Sequence, residues 1–225
     1  MKRFNIFAGN FGSGKTEMVL NFAVNAADSG KKVMLVDMDL INPYFKSSSQ
    51  ISMLHSKGIE VVSPGFANTL SDTPSLSPKI YSAFTSDCDV VIFDSGGDPD
   101  GATVLGFLEE KFKENIDDLD FFMVLNTRRP MQETPKDIVD LLGDIEDASR
   151  LKITGLINNT NLSRETDAQV IEQSREVVKT VSNLTGIPVR YTSALKELCD
   201  AGGFGIDGEL MPIKLYLRPE WMDLI

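Results

Sequence analysis

The sequence predicts a doubly wound α/β fold with a mostly parallel sheet of about seven strands, because short apolar runs alternate with helical patterns along its whole length. Most of these runs are continuously apolar, which is typical of parallel strands buried on both faces. The predicted strands cover residues 4–8, 33–37, 59–62, 89–94, 121–126, 153–158 and 188–192. The second strand is expected beside the first.

The helices between these strands have recognisable ends. Thr134 is a predicted N-cap followed by Pro135 at the first helical position, and Thr166 with Gln169 has the spacing of a capping box before the next long helix. The first helix is expected to run to about Ser29. Since no internal repeat or linker interrupts this alternation, we expect residues 1–225 to form a single domain.

The charge balance narrows the classes of partner. The chain of 225 residues has 22 Lys and Arg against 33 Asp and Glu, a formal net charge of −11. Phosphates of nucleic acids and anionic lipids repel such a protein, so neither nucleic acid nor a membrane surface is expected as a partner. The only two cysteines, Cys88 and Cys199, are far apart, which excludes a disulfide scaffold and a CxxC metal site.

The apolar content of the sequence also bears on location. No segment approaches the roughly 18 consecutive apolar residues of a membrane span. The N-terminal apolar stretch stops at Gly9, short of the core of a secretory signal. The expected location is therefore the cytoplasm.

Residues 9–16, GNFGSGKT, match the pattern GxxxxGK[ST] between the first strand and the first helix. Glycines in such a loop let backbone N–H groups turn inward around phosphates, and the helix N-terminus adds its dipole. Lys15 would reach the β- and γ-phosphates, and the Thr16 hydroxyl would bind Mg²⁺. The predicted nucleotide-binding residues are Gly9, Asn10, Gly12, Ser13, Gly14, Lys15, Thr16 and the adjoining Glu17.

Acidic residues follow two of the predicted strands. Asp94 ends the apolar run 90–93, and a carboxylate at the carboxyl end of a central strand is well placed to support Mg²⁺. Asp37 and Asp39 end the second strand. We expect Asp39, further into the loop, to orient the attacking water or to help hold hydrated Mg²⁺, which makes it a catalytic and a metal-site candidate.

These residues together resemble the MinD/ParA/nitrogenase-iron-protein class of P-loop ATPases, also described as the CobQ/CobB/MinD/ParA nucleotide-binding domain. The likeness extends over nearly the whole chain and rests on the loop at 9–16 and on VDMDLINP at 36–43, VVIFDSGGD at 90–98 and GLINN at 155–159. It implies the P-loop NTPase fold with ATP and Mg²⁺ as ligands. It further implies that Asp39 acts on water, that Asp94 supports Mg²⁺, and that Asn159, or alternatively Asn158, recognises adenine.

One departure from the class bears on assembly. Its switch ATPases usually have a second lysine after the first loop glycine, which reaches the partner's nucleotide across a dimer interface, whereas this chain has Asn10. A nucleotide-dependent homodimer is therefore left open, and intrinsic hydrolysis is expected to be slow because less positive charge meets the γ-phosphate. No NKxD motif of the GTPase type is present, which favours ATP over GTP.

The leading functional hypothesis is a cytoplasmic, Mg²⁺-dependent ATPase that binds ATP or ADP and acts as a nucleotide-controlled switch on an unknown protein client. An alternative is an ATP-dependent small-molecule enzyme resembling the dethiobiotin and cobyrinate amidation synthetases, and a third is a nucleotide-bound scaffold without turnover. Arg128 and Arg129 follow the fifth predicted strand, where they could meet a γ-phosphate or an acidic partner or form a solvated loop.

Overall fold

The computed structural model describes residues 1–38, 48–62, 78–96 and 99–217. Its strands are β1 Phe4–Ala8, β2 Val33–Asp37, β3 Glu60–Val62, β4 Val90–Asp94, β5 Leu119–Leu125, β6 Gly155–Asn158, β7 Val189–Leu195 and β8 Glu209–Ile213. Its α-helices are α1 Lys15–Asp28, α2 Ser48–Ser56, α3 Pro78–Thr85, α4 Pro99–Gly106, α5 Glu109–Glu114, α6 Pro135–Ser149, α7 Ala168–Thr185 and α8 Lys196–Ala201. No helix in these ranges is both long and apolar enough to cross a membrane.

The strands form one sheet in the order β3-β2-β4-β1-β5-β6-β7-β8, and every neighbouring pair is parallel. This confirms the predicted fold class. The expectation that β2 lies beside β1 is wrong, because β4 occupies the place between them. Strands that follow each other in sequence need not pair, since a crossover connection can leave room for a later strand. As a result, Asp37 at the end of β2 stands in register with Asp94 at the end of β4.

The eighth strand is absent from the sequence-based prediction. Pro212 interrupts the apolar run of β8, and a proline in a strand is tolerated where its missing N–H faces no partner, as at a sheet edge. Side chains of α7 hold the glycine-rich loop before β8: Glu172 accepts a hydrogen bond from the Gly205 N–H, and Arg175 pairs with Asp207 at 2.9 Å. These contacts place β8 beside β7.

Aromatic side chains fill both faces of the sheet. Phe7 of β1 meets Phe22 of α1 with ring centroids 4.8 Å apart. On the other face Phe93 of β4 meets Phe112 of α5 at 5.0 Å. Burying a side chain of this size stabilises a fold by about 1.5–3 kcal/mol relative to leaving it exposed. The two packed faces hold the carboxyl ends of the strands in fixed positions.

The N-caps of α6 and α7 are Thr134 and Asp167, of which the sequence predicts the first. The Thr134 hydroxyl accepts a hydrogen bond from the Asp137 N–H at 3.2 Å, which confirms the cap of α6. The prediction of Thr166 as the cap of α7 is wrong, because Asp167 accepts from the Val170 N–H at 2.8 Å. The Thr166 hydroxyl instead donates to Ser163 O and accepts from the Leu162 N–H. Its hydroxyl thereby closes the turn before the helix.

Candidate functional site

The loop between β1 and α1 has a backbone that only glycine adopts easily. Gly9 has φ +139°, and a Cβ at that position would overlap the Val124 carbonyl oxygen. Gly14 has φ +85°, and a Cβ there would overlap the Asn159 side-chain amide. The loop therefore lies directly against the carboxyl ends of β5 and β6.

The N-terminus of α1 is arranged for an anion. Gly14 occupies the cap position, so no side chain accepts from the first N–H groups of the helix. The Ser13 hydroxyl is buried and has no hydrogen-bond partner among the described residues. The Lys15 ammonium donates to Asn10 O at 3.3 Å and lies 5.9 Å from the centre of the Phe11 ring. Uncapped N–H groups beside a buried lysine fit a phosphate group.

Oxygen-bearing side chains that could bind a cation lie at the ends of β2 and β4 and at the start of α1. Asp37 and Asp94 are both buried, as is the hydroxyl-bearing Thr16 at the start of α1. Carboxylates and a hydroxyl are the ligand types that Mg²⁺ prefers, so these residues fit the predicted metal. Asp39, the predicted catalytic acid, lies outside the described residues.

A cavity of about 260 Å³ extends from the loop toward the carboxyl ends of β6, β7 and β8. Lining residues on the loop side include Phe11, Gly12, Gly14, Lys15, Thr16, Ser95 and Arg129. Polar residues beyond them are Asn159, Thr160, Asn161, Ser163, Thr166 and Ser193. Apolar lining residues are Ala194, Leu195, Ile213, Leu215 and Leu217. An anion site continuous with a partly apolar cavity suits a nucleotide, which has a charged and an aromatic end.

The model of the CobQ/CobB/MinD/ParA nucleotide binding domain matches residues 6–202, which include the loop, Asp94 and Asn159. The chain belongs to this family. It is thus a nucleotide-binding domain of the P-loop NTPase fold, as the sequence predicts. No curated protein matches the chain in sequence.

Solved structures of the cell division protein and signal recognition particle receptor FtsY have the same fold as this nucleotide-binding domain. FtsY from Thermotoga maritima is 20% identical with a TM-score of 0.58, and the match covers 85% of this chain and 62% of that one. Chloroplast FtsY from Physcomitrella patens is 17% identical with a TM-score of 0.55, with coverages of 85% and 58%. FtsY from Elizabethkingia anophelis in complex with GDP is 17% identical with a TM-score of 0.52, covering 86% and 57%. The chain spans about three fifths of these proteins.

In this nucleotide-binding domain the Asn159 amide already has partners. Its Nδ2 donates to Ser13 O at 2.7 Å, and its Oδ1 accepts from the Ser193 hydroxyl at 2.5 Å. Asn159 therefore ties the phosphate loop to the end of β7, and only its second N–H and second lone pair remain for a base. The alternative, Asn158, donates to the Ser174 hydroxyl of α7 and does not line the cavity.

The two arginines after β5 differ in position. The Arg129 side chain lines the cavity, and its Cδ and Nε lie 3.3 Å from the place of a Cβ on Gly12. Arg128 instead donates to Gln173 on α7. Arg129 is therefore the one of these two arginines whose position in the cavity lining allows contact with a phosphate.

Glu17 lies in the cavity lining, but its carboxylate is engaged by the backbone. It accepts hydrogen bonds from the N–H groups of Tyr216 and Leu217. Burial raises the pKa of Glu17, and these two donors oppose that effect.

The apolar wall of the cavity next to Glu17 is not among the sequence-based predictions. Its residues Ile213, Leu215 and Leu217 nevertheless recur at every second position, as in an extended segment with one buried face.

Proposed function

We propose that this domain binds MgATP in the cavity, hydrolyses it slowly, and acts as a nucleotide-controlled switch on a protein client in the cytoplasm. The observation that carries the proposal is the uncapped start of α1, where Lys15 lies in a glycine loop that opens into the lined cavity. Lys15, Thr16 and the loop N–H groups would hold the phosphates.

The acidic residues supply the metal and water functions in this proposal. Asp94 would hold hydrated Mg²⁺ together with the Thr16 hydroxyl, and Asp39 would orient the attacking water. Bound Mg²⁺ would neutralise charge on the β- and γ-phosphate oxygens. Asp94 is suited to its role because its buried place at the end of β4 fixes the carboxylate beside β1.

ATP is proposed rather than GTP because the sequence has no NKxD motif. Asn159 is consistent with this choice, since it keeps one N–H and one acceptor position within the cavity lining for the amino group and a ring nitrogen of adenine. The GDP in the complex of Elizabethkingia FtsY is a ligand of that protein and does not assign the base bound by this chain.

Slow hydrolysis is proposed because of Asn10. Its Oδ1 accepts from the Phe11 N–H at 2.7 Å, and its Nδ2 lies 3.5 Å from Pro130 O. A neutral amide adds no positive charge at a γ-phosphate. Lys15 and Arg129 are the cations among the described residues that line the cavity.

Arg129 should contribute to phosphate binding, whereas Arg128 should not. We expect Arg129→Ala to weaken MgATP binding about tenfold, because a charge-assisted contact to phosphate is lost. The matched variant Arg128→Ala removes the same charge from a residue that contacts Gln173 outside the lining. Binding is measured by calorimetric titration, and an equal effect of both substitutions would show that only net charge matters.

Turnover and solution mass test the switch directly. With MgATP alone we expect hydrolysis on the order of 10⁻³ s⁻¹, the range of P-loop switches without a partner. Light scattering with ADP and with Mg²⁺ plus a non-hydrolysable ATP analogue shows whether the switch includes a homodimer. Hydrolysis that requires a small metabolite would contradict the switch and favour the synthetase alternative.

A further inference from the structure

The chain after β8 runs along the first two turns of α1 and is held there by two side chains of that helix. Asn21 pairs with Lys214 in both directions: its Nδ2 donates to Lys214 O at 2.8 Å, and its Oδ1 accepts from the Lys214 N–H at 2.8 Å. One turn earlier, the Glu17 carboxylate accepts from the N–H groups of Tyr216 and Leu217. We name residues 214–217 the strap.

The strap forms one wall of the cavity. Leu215 and Leu217 line it together with Ile213 of β8. Tyr216 and Leu217 also pack against the buried cluster between α1 and the sheet. The strap therefore presents the apolar side chains of Leu215 and Leu217 to the cavity, and a flat aromatic base would gain contact area against them.

Phosphate binding does not explain the place of Glu17. It is two residues from Lys15 in the first turn of α1, and a carboxylate there repels a phosphate and competes with it for the helix N-terminus. Each oxygen of its carboxylate instead accepts one hydrogen bond from an N–H of the strap. A glutamine could accept at only one of these two positions without placing its NH₂ group against an N–H.

We propose that Glu17 is a positioning residue for nucleobase binding: it fixes the strap so that Leu215 and Leu217 form the apolar wall against which the base packs. This inference rests on the proposed nucleotide site and assigns its base-binding wall. The first turn of α1 thereby carries two functions on adjacent residues, phosphate and metal binding at Lys15 and Thr16 and wall placement at Glu17.

The test separates base binding from phosphate binding. Glu17→Gln is titrated with MgATP and, separately, with Mg²⁺ and inorganic tripolyphosphate, which has the phosphates but no base. We expect ATP affinity to fall about tenfold, the scale of one lost hydrogen bond to a charged group, while tripolyphosphate affinity does not fall. Glu176→Gln, the same change at an exposed position of α7, is the control and should leave both affinities unchanged. Unchanged ATP affinity, or an equal fall for both ligands, would overturn the inference.

A second variant keeps the test decisive if Glu17→Gln does not fold. Leu215→Ala shortens a wall side chain that is 40% exposed and should likewise weaken ATP but not tripolyphosphate. Leu184→Ala, on the exposed face of α7, is its control. If wild-type protein binds neither ligand, the nucleotide site itself is wrong; if it binds both equally tightly, the phosphate site stands and the wall is refuted.

Discussion

Lys15→Ala should reduce MgATP affinity by more than about a hundredfold while the fold stays intact. Lys15 is 9% exposed, and its ammonium lies inside the loop against Asn10 O. Without it, the phosphates would enter a cavity whose other lining cation among the described residues is Arg129. Calorimetric titration measures the loss, and thermal unfolding checks the fold.

Lys179→Ala is the matched control for this loss. Lys179 is exposed on α7 and does not line the cavity, so the substitution makes the same change in net charge away from the site. Its ATP affinity should equal that of the wild type. ATP binding by Lys15→Ala at wild-type strength would contradict the assignment of the loop to phosphate.

Gly14→Ala should remove ATP binding and destabilise the fold, whereas Gly30→Ala should only destabilise it slightly. The two glycines have nearly the same positive φ, +85° and +82°, so alanine brings about 1 kcal/mol of strain at either. At Gly30 nothing lies within 4 Å of the new Cβ. At Gly14 the new Cβ would displace the Asn159 side chain, and the hydrogen bond from its amide to the Ser13 carbonyl oxygen would be lost.

The difference between these variants isolates the contact between the loop and β6. We expect chemical unfolding to show a loss of about 3 kcal/mol for Gly14→Ala, since a buried hydrogen bond is broken in addition to the strain. Equal losses, or ATP binding by Gly14→Ala at wild-type affinity, would show that Asn159 does not hold the loop in its binding form.

The sequence was sufficient for those parts of the fold that depend on local pattern. Apolar runs such as 33–37 predict their strands because parallel strands are buried on both faces, and Thr134 before Pro135 predicts a cap. The neighbour of β1 could not be predicted, because pairing depends on the path of the connections. Strand β8 was missed because Pro212 resembles a strand breaker until its edge position is known.

The candidate site likewise has one part that the sequence predicts, the phosphate loop, and one that it does not, the apolar wall. The phosphate loop is contiguous in sequence, so its spacing predicts its chemistry at residues 9–16. The wall is built by β8 and the strap, about 200 residues after Glu17, and no local pattern connects them. A glutamate that follows the loop therefore suggested a ligand contact, whereas the structure shows that it holds backbone. The role of Asp39 stays a prediction.

Calorimetric titration of the wild-type protein with MgATP and with MgGTP under identical conditions tests the proposed nucleotide site most directly. We expect one site per chain and tighter binding of ATP than of GTP, because the sequence lacks the NKxD motif of the GTPase type. Tighter binding of GTP would contradict the assignment of the base. Failure to bind either triphosphate would contradict the nucleotide site altogether.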